Sequence, residues 1–278
     1  MILRESLAQR QLELAAQAAD YVQQSREALR VPLMDFRSHL LLLMVNSGAS
    51  GPLHINDIQH MRIDVTQYCQ QLRDQLFAGF ATWLEGAVIM GAAMVHEILA
   101  VDAIVYTMPD LETVFNMNEV VNIPIYDRLH LYMRALEKAV YGCLYQGVLA
   151  QRNAFSINQS LMALLPPTAT PGRGGFTWRL ETLARTEVGR ALSEGTHAML
   201  EVADRSITRL TKQWMRTGTS PGRTGHSAVD GTSVNVSERF AVAVERGEPP
   251  EYLRFPRDEA GSPRNCVNCS CFLVPALV

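Results

Sequence analysis

Three of the five cysteines of this 278-residue chain fall between positions 266 and 271: Cys266, Cys269 and Cys271. Thiols packed that closely can ligate a metal as thiolates, form a redox pair, or staple a turn. Cys266-x-x-Cys269 has the spacing of a zinc knuckle or of a redox pair. A zinc site closed by protein needs four donors, and His226 is the nearest histidine in sequence. Cys266, Cys269, Cys271 and His226 therefore form the candidate metal set, with zinc as its ion. Reduced thiols in a tight turn, or a disulfide made within the cluster or to another segment, are the alternatives.

Other chemistry is sparser. His226 and Asp230, four positions apart in a Gly/Ser-rich stretch, have the types of a general acid–base pair. Gly172-Arg173-Gly174-Gly175 lacks the Lys-Ser/Thr that completes a phosphate cradle. His96-Glu97 starts a zinc-protease helix pattern, but Ala100 stands where the second histidine is needed. There is no Gly-x-Ser-x-Gly elbow. No catalytic or cofactor-binding residue is assigned on these patterns. Arg173, Arg179, Arg185 and Arg190 could touch phosphate, which would suit a DNA-contacting protein.

The elements that must position these residues follow from composition and periodicity. Hydrophobic residues make up 47% of the chain and charged residues 19%, the balance of a folded protein. The net charge of −3 gives no overall nucleic-acid affinity, and only Lys138 and Lys212 of the 25 basic residues are lysines. Scattered Cys69 and Cys143 do not complete a secreted disulfide framework. Met-Ile-Leu-Arg-Glu-Ser at the start reads as an amphipathic helix and not as a signal peptide. The apolar stretch from Phe77 to Tyr106 is interrupted by Glu85, His96, Glu97 and Asp102, which predicts a buried core helix with no membrane span.

Leu3, Leu7, Leu14, Ala18, Tyr21, Ser25 and Ala28 predict a helix over 3–29, its stripe broken at Arg10 or Gln11. Pro32 opens a second helix that ends at Asn46-Ser47-Gly48. A third starts near Asn56, breaks near Gly79 or Gly86, and resumes to Val105. Residues 110–124, with Asn116, Asn118, Asn122 and Pro124, read as irregular, and a further helix spans 126–150. The Pro/Gly run from Pro166 to Gly175 is the clearest boundary. Beyond it come a helix over 178–202, strand character over 207–215, a loop over 216–235, and short strands at 240–244, 252–255 and 272–274. The expected fold class is α+β: an all-helical domain over 1–165, a linker over 166–175, and a small α+β domain over 176–278.

Read in order, the second part resembles a known family. The set is Arg185-Thr186-Glu187, Lys212-x-Trp214, Arg223-x-x-His226, Asp230-Gly231, Glu238-x-Phe240, Phe255-Pro256-Arg257-Asp258 and Asn268-Cys269-x-Cys271. It is similar to the phage Mu F-like head morphogenesis domain, over about residues 178–275. Departures are Ser270, where the family has a basic residue, Gly218, Ser220 and Gly222, where an Asp-x-Arg type of sequence is common, and the extra Cys266. The resemblance implies a structural minor head protein of a tailed bacteriophage, present in several copies inside the capsid near the portal. It implies portal, capsid and scaffold proteins as partners, packaged DNA as a further contact, and host cytoplasm as the place of assembly. The helical first part would then dock on the portal or capsid interior. The competing expectation is a metal-dependent or toxin-like enzyme domain carried in the virion.

Overall fold

A computed structural model describes residues 2–46, 53–101, 104, 106–107, 109, 114, 123–168, 175–207, 209–217, 223–244 and 248–277. The irregular segment expected at 110–124 and the loop at 48–52 lie almost entirely outside these residues, as do the centre of the Pro/Gly run and Arg173. The fold is α+β. Long helices come first: α1 (Ile2–Asn46), α2 (Ile55–Val101), α3 (Ile123–Leu149), α4 (Ala154–Leu164) and α5 (Phe176–Ala203). Short elements follow: β1 (Leu210–Arg216), α6 (Thr224–Val229), β2 (Ser233–Asn235), β3 (Phe240–Val242), β4 (Glu251–Leu253), α7 (Pro263–Cys266) and β5 (Cys271–Leu277).

Helix α1 is continuous through Pro32, where the sequence suggests a new helix. Its buried residues explain why. Gln11, Leu14, Ala18, Val22, Ser25, Leu29, Leu33, Phe36, Leu40 and Met44 recur at steps of three and four without a break. That run follows an 11-residue repeat, whose 3.67 residues per turn is close to the 3.6 of an α-helix and keeps one face inward along its length. A proline removes one backbone hydrogen bond but does not move the stripe. Gln11 belongs to this face, while Ala28 lies on the exposed one.

Helix α2 likewise runs unbroken past Gly79 and Gly86. These glycines mark close approach, not helix ends. A Cβ at Gly79 would stand 3.0 Å from Leu29 Cδ2, and one at Gly86 would stand 2.1 Å from the Tyr21 hydroxyl. By length and composition α2 could cross a membrane, a test that a soluble core helix also passes, and half of its most apolar window is buried.

The chain forms two compact units, and they are not the sequential pair suggested by the Pro/Gly run. The first combines residues 1–25, 81–123 and 183–278; the second combines 26–80 and 124–182. The reason lies in helix length. At ~1.5 Å per residue, α1 and α2 are each about 70 Å long, so each contributes to both units.

In the second unit, His39 stacks on Tyr68 with ring centroids 4.7 Å apart, and Phe77 and Tyr132 meet Tyr126 and Phe176 edge-on. A partly buried ion pair joins Arg26 to Glu181 at 2.6 Å.

In the first unit, Tyr21 of α1 meets Trp83 of α2 edge-on at 4.9 Å and donates to its carbonyl at 3.1 Å. Helices α2 and α5 approach through two reciprocal glycines. A Cβ at Gly91 would lie 2.1 Å from the Leu192 carbonyl oxygen, and one at Gly195 would lie 2.3 Å from that of Val88. The small strands complete this unit. β1 is central in an antiparallel sheet of order β2-β1-β5, and β3 pairs with β4 as a separate ribbon. β1 and β5 pair over seven residues, from Leu210↔Leu277 to Arg216↔Cys271. β5 is an edge strand, which is where Pro275 is tolerated, having no N–H to donate. Gln11 of α1 donates to the Pro275 carbonyl at 2.9 Å, so the edge is covered.

Candidate functional site

The residues singled out in the sequence converge within the first unit. Helix α6 carries His226, which is 3% exposed, with Trp214 of β1 edge-on against its ring at 5.4 Å. Cys269 precedes β5 and Cys271 begins it, both buried. His226 Nδ1 lies 3.4 Å from each of their sulfurs, and all three donor atoms lie within 4.8 Å of one another. On the other side of the ring, Nε2 is 3.2 Å from Asn265 Oδ1. Two thiols and an imidazole in this arrangement can share a proton or hold a soft to borderline metal ion.

Cys266 does not join them. It ends the short helix α7, and its thiol donates to the Asp258 carbonyl at 3.0 Å. The Cys-x-x-Cys spacing thus points two sulfurs at different partners, and the Cys-x-Cys spacing brings two together. Burial pushes the Cys266 thiol up to about 12. The other pair behaves differently. The hydrogen bond from Cys271 holds Cys269 well below the ordinary thiol range, helped by His226 and Arg257 and opposed by burial. The same bond, together with burial, pushes Cys271 far up.

Arg257 is the centre of the clasp around this pair. It is 1% exposed, and its guanidinium donates to the Cys269 carbonyl at 3.1 and 2.6 Å and to the Cys271 carbonyl at 2.8 Å. It also lies over the Phe272 ring at 4.7 Å. Room for it comes from Gly189 of α5, where a Cβ would fall 2.3 Å from Arg257 Cζ. Arg257 and Asn268 both have left-handed backbone, φ 69° and 55°, which turns the chain sharply before each contact. Asn268 is gripped by α5: Arg185 donates to its side-chain oxygen at 3.0 Å, and its backbone N–H donates to Thr186 Oγ1 at 2.9 Å. Arg223 donates to the Val267 carbonyl beside it at 2.5 Å.

The remaining signature residues brace this clasp. Glu187 accepts from Arg190 at 3.2 Å, and Arg190 also pairs with Glu194 and Glu259. Asp258 accepts from the Arg254 backbone and side chain; burial pushes it up, but those bonds outweigh burial and hold it below the usual carboxylate range. Gly231, at φ +76°, donates to the Trp214 carbonyl at 2.8 Å. Glu238 accepts from the Asn235 N–H at 3.0 Å. Phe240 packs edge-on to Trp214, under the Lys212 ammonium. Pro256 and Phe255 are buried.

Three sequence expectations look different in place. His226 and Asp230 do not form a pair: the imidazole faces Asn265 and the thiols, and the Asp230 carboxylate caps the Arg216 N–H at 2.9 Å. Arg185 and Arg190 are engaged with protein groups, whereas Arg179 is exposed with its guanidinium over the Phe176 ring. Ser270, where the resembled family is basic, is exposed, and only its carbonyl is used, by Thr217. Asn265, Glu251 and Gly189 matter to the site and carry no signal in the sequence, because their roles exist only once distant segments meet.

Together these features define a small α+β unit in which a cysteine-bearing tail is clasped by one helix. No family model and no solved structure matches the chain. A 101-residue stretch is 35% identical to a protein of Bacillus subtilis (strain 168) named Uncharacterized protein YqbB, covering 36% of this chain and 31% of that protein. The chain thus spans about a third of that relative's length.

Proposed function

We propose that this chain is a structural minor head protein of a tailed bacteriophage, held inside the capsid at or near the portal, where it aids head morphogenesis. One observation carries the reading. Of the residues that resemble the Mu F-like domain, Arg185 and Thr186 of α5, His226 of α6 and Arg257 meet Asn268, Cys269 and Cys271 in one largely buried network, although they lie far apart in the chain. Their polar groups are spent on one another and on the backbone, which suits a scaffold that must hold its shape. Portal, capsid and scaffold proteins are the partners this role requires, with packaged DNA as a further contact.

The test is quantitative mass spectrometry of purified particles from a phage that encodes the chain, comparing full heads with soluble lysate. A few copies of the intact chain per head support the proposal. Recovery of the chain only outside particles overturns it. Deleting residues 1–165 is not a clean test of docking, because residues 1–25 and 81–123 belong to the same compact unit as the signature.

A further inference from the structure

We propose that His226, Cys269 and Cys271 bind a single zinc ion through Nδ1 and two sulfurs, with Cys266 excluded from the site. This inference goes beyond the virion role and stands or falls without it.

The argument begins at Glu251. Its carboxylate accepts from the Ser262 N–H at 3.1 Å and from Asn265 Nδ2 at 2.9 Å. An ionised carboxylate only accepts, so the Asn265 amide is oriented with its NH2 toward Glu251 and its oxygen toward His226. That oxygen accepts from His226 Nε2–H at 3.2 Å. The neutral imidazole then has its lone pair on Nδ1, aimed at the two sulfurs. A ring N–H fixed by a carbonyl-type oxygen is the usual second shell of a metal-ligating histidine.

Distances agree. With Zn–S ~2.3 Å and Zn–N ~2.0–2.1 Å, a tetrahedral ion places nitrogen and sulfur donors about 3.5 Å apart. Nδ1 is 3.4 Å from each sulfur. One lone pair can accept from only one thiol, so without a metal one of these contacts is left without a proton to share. A metal uses all three donors at once. Cys269 Sγ also accepts from the Cys271 N–H at 3.3 Å, a bond that favours a thiolate. Among the described residues no other Cys, His, Asp or Glu joins the group, so the fourth position falls to an exogenous donor such as water.

The two thiols must lose their protons to ligate, while the imidazole keeps its proton on Nε2 and binds through Nδ1, so metal binding would release protons and tie β5 to α6. The test is a cobalt(II) titration of the purified full-length protein under reducing conditions, with zinc content measured on the protein as isolated. The expected result is thiolate-to-cobalt charge-transfer absorption and tetrahedral d–d bands that saturate at about one equivalent and are displaced by zinc. C266S should keep the signal; C269S and C271S should each abolish it. The wild-type titration decides the matter even if those variants fail to fold. No charge-transfer band in the wild-type protein, or loss of the band in C266S, would overturn the proposal.

Discussion

At the residue scale, Arg257 shows how much a single buried cation can organise. It neutralises the surroundings of two sulfurs while tying down the carbonyls on either side of Ser270. Lysine offers one compact point charge in place of this planar fork. Arg257→Lys should therefore cost about 2–4 kcal/mol of stability, read from chemical denaturation. Gly189→Ala should cost about 1–3 kcal/mol, because the guanidinium that its Cβ would meet is pinned by three hydrogen bonds and cannot step aside. Ser270→Arg, which introduces the basic residue of the resembled family, should stay within ~0.5 kcal/mol because the side chain is exposed. Equal losses for Ser270→Arg and Gly189→Ala would contradict this account.

At the element scale, the helices and their core faces were largely legible. Apolar spacing at three and four is a local property, and it predicted α2, α3 and α5 close to their observed bounds. Breaks were misread where a residue's local meaning was overridden. Pro32 and Gly86 ordinarily end helices, yet the buried stripe of α1 carries through the one, and the Tyr21 hydroxyl explains the other. The site was legible only in part. His226, Cys269 and Cys271 stood out as metal-capable types, but sequence spacing gave Cys266 equal standing. Its exclusion depends on α7, a one-turn helix that turns its thiol to Asp258. Because Pro32 removes a backbone hydrogen bond inside α1, Pro32→Ala should stabilise the protein by about 1–3 kcal/mol, seen as a higher Tm. An unchanged or lower Tm would mean that the helix depends on a kink at that point.

At the scale of the whole molecule, buried titratable groups set how stability varies with pH. Burial, with Lys212 and Arg254 nearby, lowers His197 from 6.5 to about 3, so it is neutral beside Glu201 when folded. Below 6.5 the unfolded chain binds a proton that the folded chain refuses, and stability falls as pH drops toward 3. The loss should reach on the order of 3 kcal/mol by about pH 4. Asp258, held low by Arg254, adds to the loss only below its ordinary 3.8, and Glu194, pushed up by burial, works in the opposite sense near 4.5. Burial lowers Lys212 from 10.5 to about 8, so between those values the unfolded chain is the one that keeps its proton and stability rises with pH. Denaturation curves from pH 4 to 10 should show both slopes, and His197→Gln should flatten the acid one. An acid slope unchanged in that variant would assign it to other groups.

The first compact unit is assembled from the beginning, middle and end of the chain. Its order of synthesis is therefore a constraint. Residues 26–80 and 124–182 are all available to the second unit well before the ribosome reaches β5, whereas the opening helical turns must wait for the last strand, whose Pro275 carbonyl Gln11 contacts. Domains fold as units while they are being made. A nascent chain of this protein would thus hold Tyr21 against Trp83 of α2 early, while Gln11 waits for its partner until β5 is made. A stop just before β5 would leave β1 without its seven-residue neighbour and Gln11 without the Pro275 carbonyl.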